Sequence, residues 1–180
     1  MSSPSNSSDL LTIVASTNRP GAASTALAET YLELATQAGY KAQLLRMDAL
    51  PADFTAACWE GGSPDFDALV EQFIVRAQRL VFVVPEYNGS YPGILKAFVD
   101  ASPQSAFYFK KAGVIGVSSG RAGNLRGADQ LTNVLNYLRI SVFYRKPKLS
   151  GVEDAMVQSS TWPQAWMKEL TDHLHGVMTF

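Results

Sequence analysis

Three short stretches of the chain hold residues suited to gripping an anion and a flat, polar-edged ring. The first is Ser16-Thr17-Asn18-Arg19-Pro20-Gly21, followed by Ala22, Ala23, Ser24 and Thr25. Hydroxyls, free backbone N–H groups and one guanidinium beside the positive end of a helix suit a phosphate. The same residues also fit a plainer role, with Ser and Thr capping the helix and Arg19 in solvent. The second stretch is Pro85-Glu86-Tyr87-Asn88-Gly89-Ser90-Tyr91-Pro92-Gly93. Its Gly, Pro, Asn and Ser fix the backbone shape, while its two tyrosines offer aromatic walls. The third, Ser118-Ser119-Gly120-Arg121-Ala122-Gly123-Asn124, is made mostly of small residues that leave main-chain groups accessible.

Each stretch follows an apolar run that reads as a buried parallel strand: Leu10 to Ala15, Leu80 to Val84, and Ala112 to Val117. Helical spacing follows each. Ala23, Ala26, Leu27, Thr30, Tyr31, Leu34 and Ala38 mark the first helix, with Gly39 at its C-cap. Lys41 to Arg46 is a second strand. Ser63 and Pro64 open a helix with the stripe Phe66, Leu69, Val70, Phe73, Ile74 and Ala77. Pro92 stands at the start of a helix running through Asp100. Leu131, Val134, Leu135 and Leu138 mark another, Ser141 to Tyr144 a last strand ended by Pro147, and Ser159 to His175 a final helix. Strands alternating with helices predict an α/β doubly wound parallel sheet of five strands. A flavodoxin-like order of 2-1-3-4-5 brings the three stretches to one edge, at the switch between strands one and three. Met1 to Asp9 is expected to be a disordered Ser-rich tail, and 10–180 one domain.

The three loops together favour a mononucleotide with a flat ring, and FMN fits: one phosphate and a ring with polar edges. Neither the Walker spacing nor the Gly-x-Gly-x-x-Gly fingerprint is present. With 180 residues, 47% hydrophobic and 17% charged, the chain is of ordinary globular composition. A net charge of −1 argues against nucleic-acid binding and against a strongly acidic electron-carrier face. One cysteine, Cys58, forms no intramolecular disulfide, which suits a reducing compartment. No signal peptide or membrane span is expected, so the chain reads as cytoplasmic.

The motifs Ser-Thr-Asn-Arg-Pro-Gly, Pro-Glu-Tyr-Asn-Gly-Ser-Tyr-Pro-Gly-Ile-Leu-Lys and Gly-Val-Ser-Ser-Gly-Arg-Ala-Gly-Asn-Leu-Arg-Gly resemble the NADPH-dependent FMN reductase family, over about Leu10 to Pro147. That family includes azoreductases, chromate reductases and quinone reductases on a flavodoxin-like fold. The resemblance implies that Thr17, Arg19, Ser24 and Thr25 hold the FMN phosphate. Pro85, Glu86, Tyr87, Asn88, Gly89 and Ser90 would line the flavin ring, and Ser118, Ser119, Gly120, Arg121 and Gly123 its other edge. It further implies NADPH or NADH as donor and a ping-pong hydride transfer to an acceptor such as FMN, a quinone, an azo compound or chromate. No protein acid, base or nucleophile is required; the backbone N–H groups near Asn88 and Gly89 would tune the ring. A homodimer or homotetramer would follow as well. The alternative is a flavodoxin-type carrier or a non-catalytic flavin-binding module.

The chain departs from the family at the first loop, where Ser16 replaces the usual Gly and Ala22-Ala23-Ser24 replaces Ser-Asn-Thr. Two polar groups fewer at the phosphate predict FMN held about tenfold or more loosely. Outside the loops, Cys58 is read as an incidental thiol, and His173 and His175 as a poor metal pair because residues two apart face apart on a helix. Phe107, Tyr108 and Phe109 are read as a sheet-edge or core cluster, with a dimer contact or part of the acceptor pocket as the alternative. Trp162 and Trp166 dock the last helix, and Asp48, Asp53 and Glu60 form no acid pair.

Overall fold

A computed structural model describes residues 9–56, 62–153, 155 and 161–180. Residues 1–8 of the Ser-rich start, Cys58, Trp59 and Glu60 lie outside the described residues, whereas Asp9, expected to belong to the disordered tail, pairs its carboxylate with Arg79 at 3.0 Å. Strands β1 (Leu10–Ala15), β2 (Lys41–Arg46), β3 (Arg79–Pro85) and β4 (Lys111–Ser118) pair in parallel in the order β2-β1-β3-β4. Leu10 is in register with Lys41, Leu11 with Arg79 and Arg79 with Lys111. Helix α1 (Ala23–Gln37) links β1 to β2 on one side, and α2 (Pro64–Val70, continued by a π turn Glu71–Val75) leads to β3 on the other. Beyond these lie α3 (Gly93–Ala101), α4 (Leu125–Tyr137) and α5 (Gln164–Thr179). The chain therefore changes direction across the sheet between β1 and β3, the point at which open α/β sheets leave a crevice.

The expected last strand is two pieces. β5 (Ser141–Val142) pairs with the start of β4, and β6 (Lys148–Ser150) pairs with its end. Pro147 does not end the edge. It has no N–H to give, but its carbonyl accepts from the Gly116 amide at 2.9 Å and the strand resumes one residue later. The last helix begins at Gln164, after Pro163, and reaches Thr179.

Alternation along the strands sorts the core into two faces. Val14, Phe82, Val84 and Val114 meet Phe66, Val70 and Ile74 of α2, Leu95 and Phe98 of α3, and Leu131 and Leu135 of α4. Ile13, Val81, Val83 and Ile115 meet Leu27, Ala28 and Tyr31 of α1 and Leu170, Leu174 and Val177 of α5. Ser63 caps α2 as expected, its Oγ accepting from the Phe66 amide at 3.4 Å. On α1 the buried line is Ser24, Leu27, Ala28, Tyr31 and Ala35; Ala38 is exposed and Ala26 only half-buried. The stripe is thus rotated toward Ser24. Small residues on both faces left it undefined, and packing against β1 and α5 chose.

In the cross-layer packing, Tyr31 Oη lies 2.9 Å from His173 Nδ1 in the buried layer between α1 and α5. Burial, with Arg145 adding to it, holds the His173 pKa down to about 3. His175 is exposed and faces elsewhere, in line with the two-residue spacing. Trp162 and Trp166 stack at 5.9 Å, and Trp162 Nε1 donates to Thr30 Oγ1 at 2.9 Å, which docks the last helix on α1. Phe107 is core, whereas Phe109 is 78% exposed beneath Arg139.

Candidate functional site

The three expected loops leave the carboxyl ends of neighbouring strands, and hydrogen bonds stitch them together. The Ser16 amide donates to Val83 O at 3.2 Å and the Glu86 amide to Val117 O at 2.9 Å. In the first loop Thr17 is buried, receives the Arg19 amide at 3.1 Å, and shares a 2.7 Å hydrogen bond with Tyr87 Oη of the second. Helix α1 then starts at Ala23 with Ala22 at its N-cap and no side chain capping it. Its first amides have no intrahelical acceptor. Ser24, on that first turn, is 2% exposed, and its Oγ has no hydrogen-bond partner. The capping role weighed for these Ser and Thr residues is therefore not the one they fill.

The second loop closes on itself. Tyr87 and Ser90 exchange backbone hydrogen bonds of 2.9 and 3.1 Å around Asn88 and Gly89, whose φ values are 53° and 76°. Positive φ at both central positions defines the tight Asn-Gly hairpin turn, which these two residues adopt with little strain. Ser90 Oγ bonds Gln130 Oε1 on α4. Burial raises the pKa of Tyr91, so its phenol stays protonated. In the third loop Ser118 Oγ donates to Gly120 O at 2.8 Å and accepts from the Gly123 amide at 2.9 Å, folding the loop over its own side chain.

Asn124 joins the second and third loops. It is fully buried, adopts a left-handed backbone (φ 57°), and its Nδ2 donates to Val84 O at 2.9 Å and Pro85 O at 3.0 Å. Its Oδ1 caps α4 by accepting from the Gly127 amide at 3.1 Å. Gly127 makes the approach possible: a Cβ there would collide with Asn124 Oδ1 and stand 2.7 Å from Ser90 C and Tyr91 N. Neither residue was given a role from the sequence, although Asn124 closes the third stretch. The signal was present, an Asn directly before a helix and a Gly inside its first turn.

The loops enclose one cavity of about 180 Å³. Of the expected site residues, Arg19, Ser24, Pro85, Glu86, Tyr87, Ser118 and Ser119 line it. Thr17 is buried behind Tyr87. Asn88, Gly89 and Ser90 form the hairpin tip outside the lining, Thr25 is half-buried one residue past Ser24, and Gly120 and Arg121 are exposed on the third loop. Gly123 is packed against Lys148 of β6. Val152 and Glu153, after β6, complete the lining and were not foreseen; their neighbourhood depends on β6 returning beside β4. The cavity carries one guanidinium, Arg19, and two carboxylates, Glu86 and Glu153. None of the three side chains has an ion-pair partner among the described residues. No group of three or more His, Cys, Asp or Glu among the described residues could hold a metal ion.

The model of the NADPH-dependent FMN reductase family matches residues 9–148, which spans all three loops. The chain belongs to that family. It is 37% identical over 81 residues to an NAD(P)H-dependent FMN reductase of Pseudomonas aeruginosa, covering 42% of this chain and 44% of that protein. To an NAD(P)H-dependent FMN reductase of Schizosaccharomyces pombe it is 36% identical over 103 residues, 56% of this chain and 48% of the other. A 2-hydroxy-1,4-benzoquinone reductase of a Burkholderia species is 33% identical over 51% of each. The chain thus spans about half the length of the curated relatives it matches. Among solved structures, the apo form of an NADH:FMN oxidoreductase superposes with a TM-score of 0.74 at 16% identity, covering 94% of this chain and 88% of that one. A Pseudomonas aeruginosa flavodoxin variant gives 0.59 at 17% identity, covering 92% and 99%. At such identities the likeness establishes the flavodoxin-like fold.

Proposed function

We propose that the chain binds FMN in this cavity and catalyses its reduction by NADPH or NADH, the electrons passing to a small acceptor such as free FMN, a quinone, an azo compound or chromate. The observation that carries the reading is Ser24. A buried hydroxyl without a partner costs about 1–3 kcal/mol, and here it sits on the uncapped first turn of α1 beside Arg19. Unfilled donors, a helix N-terminus and a guanidinium at one point fit a phosphate monoester. The donor set therefore fits the group the family uses.

In this proposal Ser24, Thr25, Arg19 and the amides of Ala23 and Ser24 hold the phosphate, with Thr17 fixing the loop through Tyr87. The cavity of about 180 Å³ is smaller than the roughly 300–1,000 Å³ of whole-ligand pockets. It accommodates the phosphate and the chain attached to it, and the ring takes the open mouth. There Pro85, Glu86, Tyr87, Asn88, Gly89 and Ser90 offer one side and Ser118, Ser119, Gly120, Arg121 and Gly123 the other. Bound FMN would supply the redox chemistry between the nicotinamide dinucleotide and the acceptor. The chain's own residues bind and orient. The Asn88 and Gly89 amides, held at the hairpin tip, would offer their N–H groups to the ring edge, and Asn124 keeps β3 and the third loop at fixed separation. No side chain is assigned a proton-transfer role.

Assembly as a homodimer or homotetramer belongs to the same proposal. It is supported by the apolar groove that Val99, Val134 and Leu138 line between α3 and α4, with Tyr137 77% exposed at its edge. A cytoplasmic location is likewise proposed; no helix among the described residues is long and apolar enough to cross a membrane. The test is titration with FMN followed by anaerobic addition of NADPH. Quenched flavin fluorescence and bleaching of the bound flavin, without a protein partner, are expected. Binding without bleaching would turn the reading into a carrier, and no binding would overturn it.

A further inference from the structure

The arginines divide by place. Of the eight arginines, Arg46, Arg76, Arg79 and Arg145 are paired with carboxylates and Arg139 lies over an aromatic ring. Exposure does not prevent such pairing, because the Arg76 side chain is 67% exposed and still meets Glu71. The side chains of Arg19, Arg121 and Arg126 have no ion-pair, ring or hydrogen-bond partner among the described residues. All three lie at the carboxyl edge of the sheet, on the first loop, the third loop and the opening turn of α4. With a net charge of −1 for the whole chain, this grouping is not the by-product of a basic surface.

Arg19 lines the cavity beside Ser24 and is accounted for by the flavin phosphate. Arg126 is not. It stands outside the cavity, its Nη1 3.9 Å from the point a Cβ on Gly89 would occupy, and so lies over the hairpin tip of the second loop. The first turn of α4 holds no carboxylate to neutralise it. A planar guanidinium left free at that place can bond two oxygens of an anion such as a phosphate. Hydride transfer requires the nicotinamide at the ring, next to Asn88 and Gly89. The dinucleotide's remaining charge must then run outward over these loop crests.

We propose that Arg126 receives a phosphate group of the nicotinamide dinucleotide, an inference that rests on the flavin-reductase reading above. The phosphate has two possible origins. One is the pyrophosphate shared by NADH and NADPH, the other the 2′-phosphate that NADPH alone carries.

The experiment compares the native protein, Arg126→Gln and, as a surface control, Arg76→Gln. It measures KM and kcat for NADPH and for NADH at fixed FMN, the FMN dissociation constant, and direct binding of adenosine 2′,5′-bisphosphate and adenosine 5′-diphosphate. Losing one charge-assisted contact is expected to raise KM about 10- to 100-fold with kcat and FMN affinity unchanged. A rise for NADPH alone, with weakened adenosine 2′,5′-bisphosphate, assigns the 2′-phosphate; a rise for both dinucleotides, with weakened adenosine 5′-diphosphate, assigns the pyrophosphate. Unchanged KM values, or a loss of FMN affinity of similar size, overturn the inference. If the native protein oxidises neither dinucleotide with FMN present, the flavin-reductase reading fails instead, and the two adenosine probes still report on Arg126 by themselves.

Discussion

Replacing Ser24 by alanine tests the phosphate cradle through two effects of opposite sign. Ser24 is 2% exposed and its Oγ has no hydrogen-bond partner among the described residues. Removing an unsatisfied buried hydroxyl relieves about 1–3 kcal/mol of desolvation, and alanine adds roughly 0.5 kcal/mol of helix propensity. The small void left behind offsets part of this, so the ligand-free variant is expected to gain about 1 kcal/mol. With FMN bound, the same oxygen is a donor to a charged phosphate, worth about 1.5–3 kcal/mol, and its loss weakens binding about 10- to 100-fold. The assay is urea unfolding with and without FMN. A ligand that binds only the native state stabilises it by RT ln(1 + [L]/Kd). At one saturating FMN concentration the FMN-dependent gain in the variant should therefore shrink by about 1.5–3 kcal/mol. Riboflavin, which lacks the phosphate, should bind both proteins equally. An unchanged FMN affinity, or an equal loss for riboflavin, would remove Ser24 from the phosphate site and with it the main support for the flavin assignment.

Other substitutions probe the frame around the cavity. Gly127→Ala would ordinarily stabilise a helix, but here the new methyl meets Asn124 and the backbone at Ser90; a loss of about 1–3 kcal/mol is expected in thermal unfolding, and a gain would refute the close approach. Tyr87→Phe removes the 2.7 Å bond to Thr17, and a double-mutant cycle with Thr17→Val should return a coupling of about 0.5–1.5 kcal/mol; strict additivity would show the two loops to be independent. His173 is held neutral by burial, with Arg145 contributing, and its pKa falls from 6.5 to about 3. Because the folded pKa is the lower one, the unfolded chain takes up the proton first as pH drops below 6.5. Stability is then lost progressively toward pH 3, by about 2 kcal/mol at about pH 5. His173→Gln, which keeps a partner for Tyr31 without titrating, should lack this component when urea unfolding at about pH 7 and about pH 5 is compared; parallel losses in both proteins would disprove it. Light scattering coupled to gel filtration should give twice or four times the 19.5 kDa chain mass, and a monomer would end the assembly proposal.

The residues that could be read in advance are those whose meaning is local. An apolar run such as Leu10 to Ala15 can only be a buried strand in this company, and it begins and ends where expected. Ser63-Pro64 announces a helix by its own hydrogen bond and fixed φ, and Asn88-Gly89 announces a tight turn by the backbone angles only those residues take readily. The strand order followed from such pieces through rules of chain connection. Other features depend on partners distant in sequence, which no local pattern encodes. The face α1 buries was chosen by β1 and α5. The edge strand resumes after Pro147 because Gly116 and Val117 of β4 offer it a ladder, and that return carries Val152 and Glu153 into the cavity wall. Asn124 acts on Val84 and Pro85, forty residues away. Short-range sterics and hydrogen bonds determine which segments form and how they turn. Which hydroxyl is left without a partner, and which arginine without a counter-charge, is decided only once the layers close.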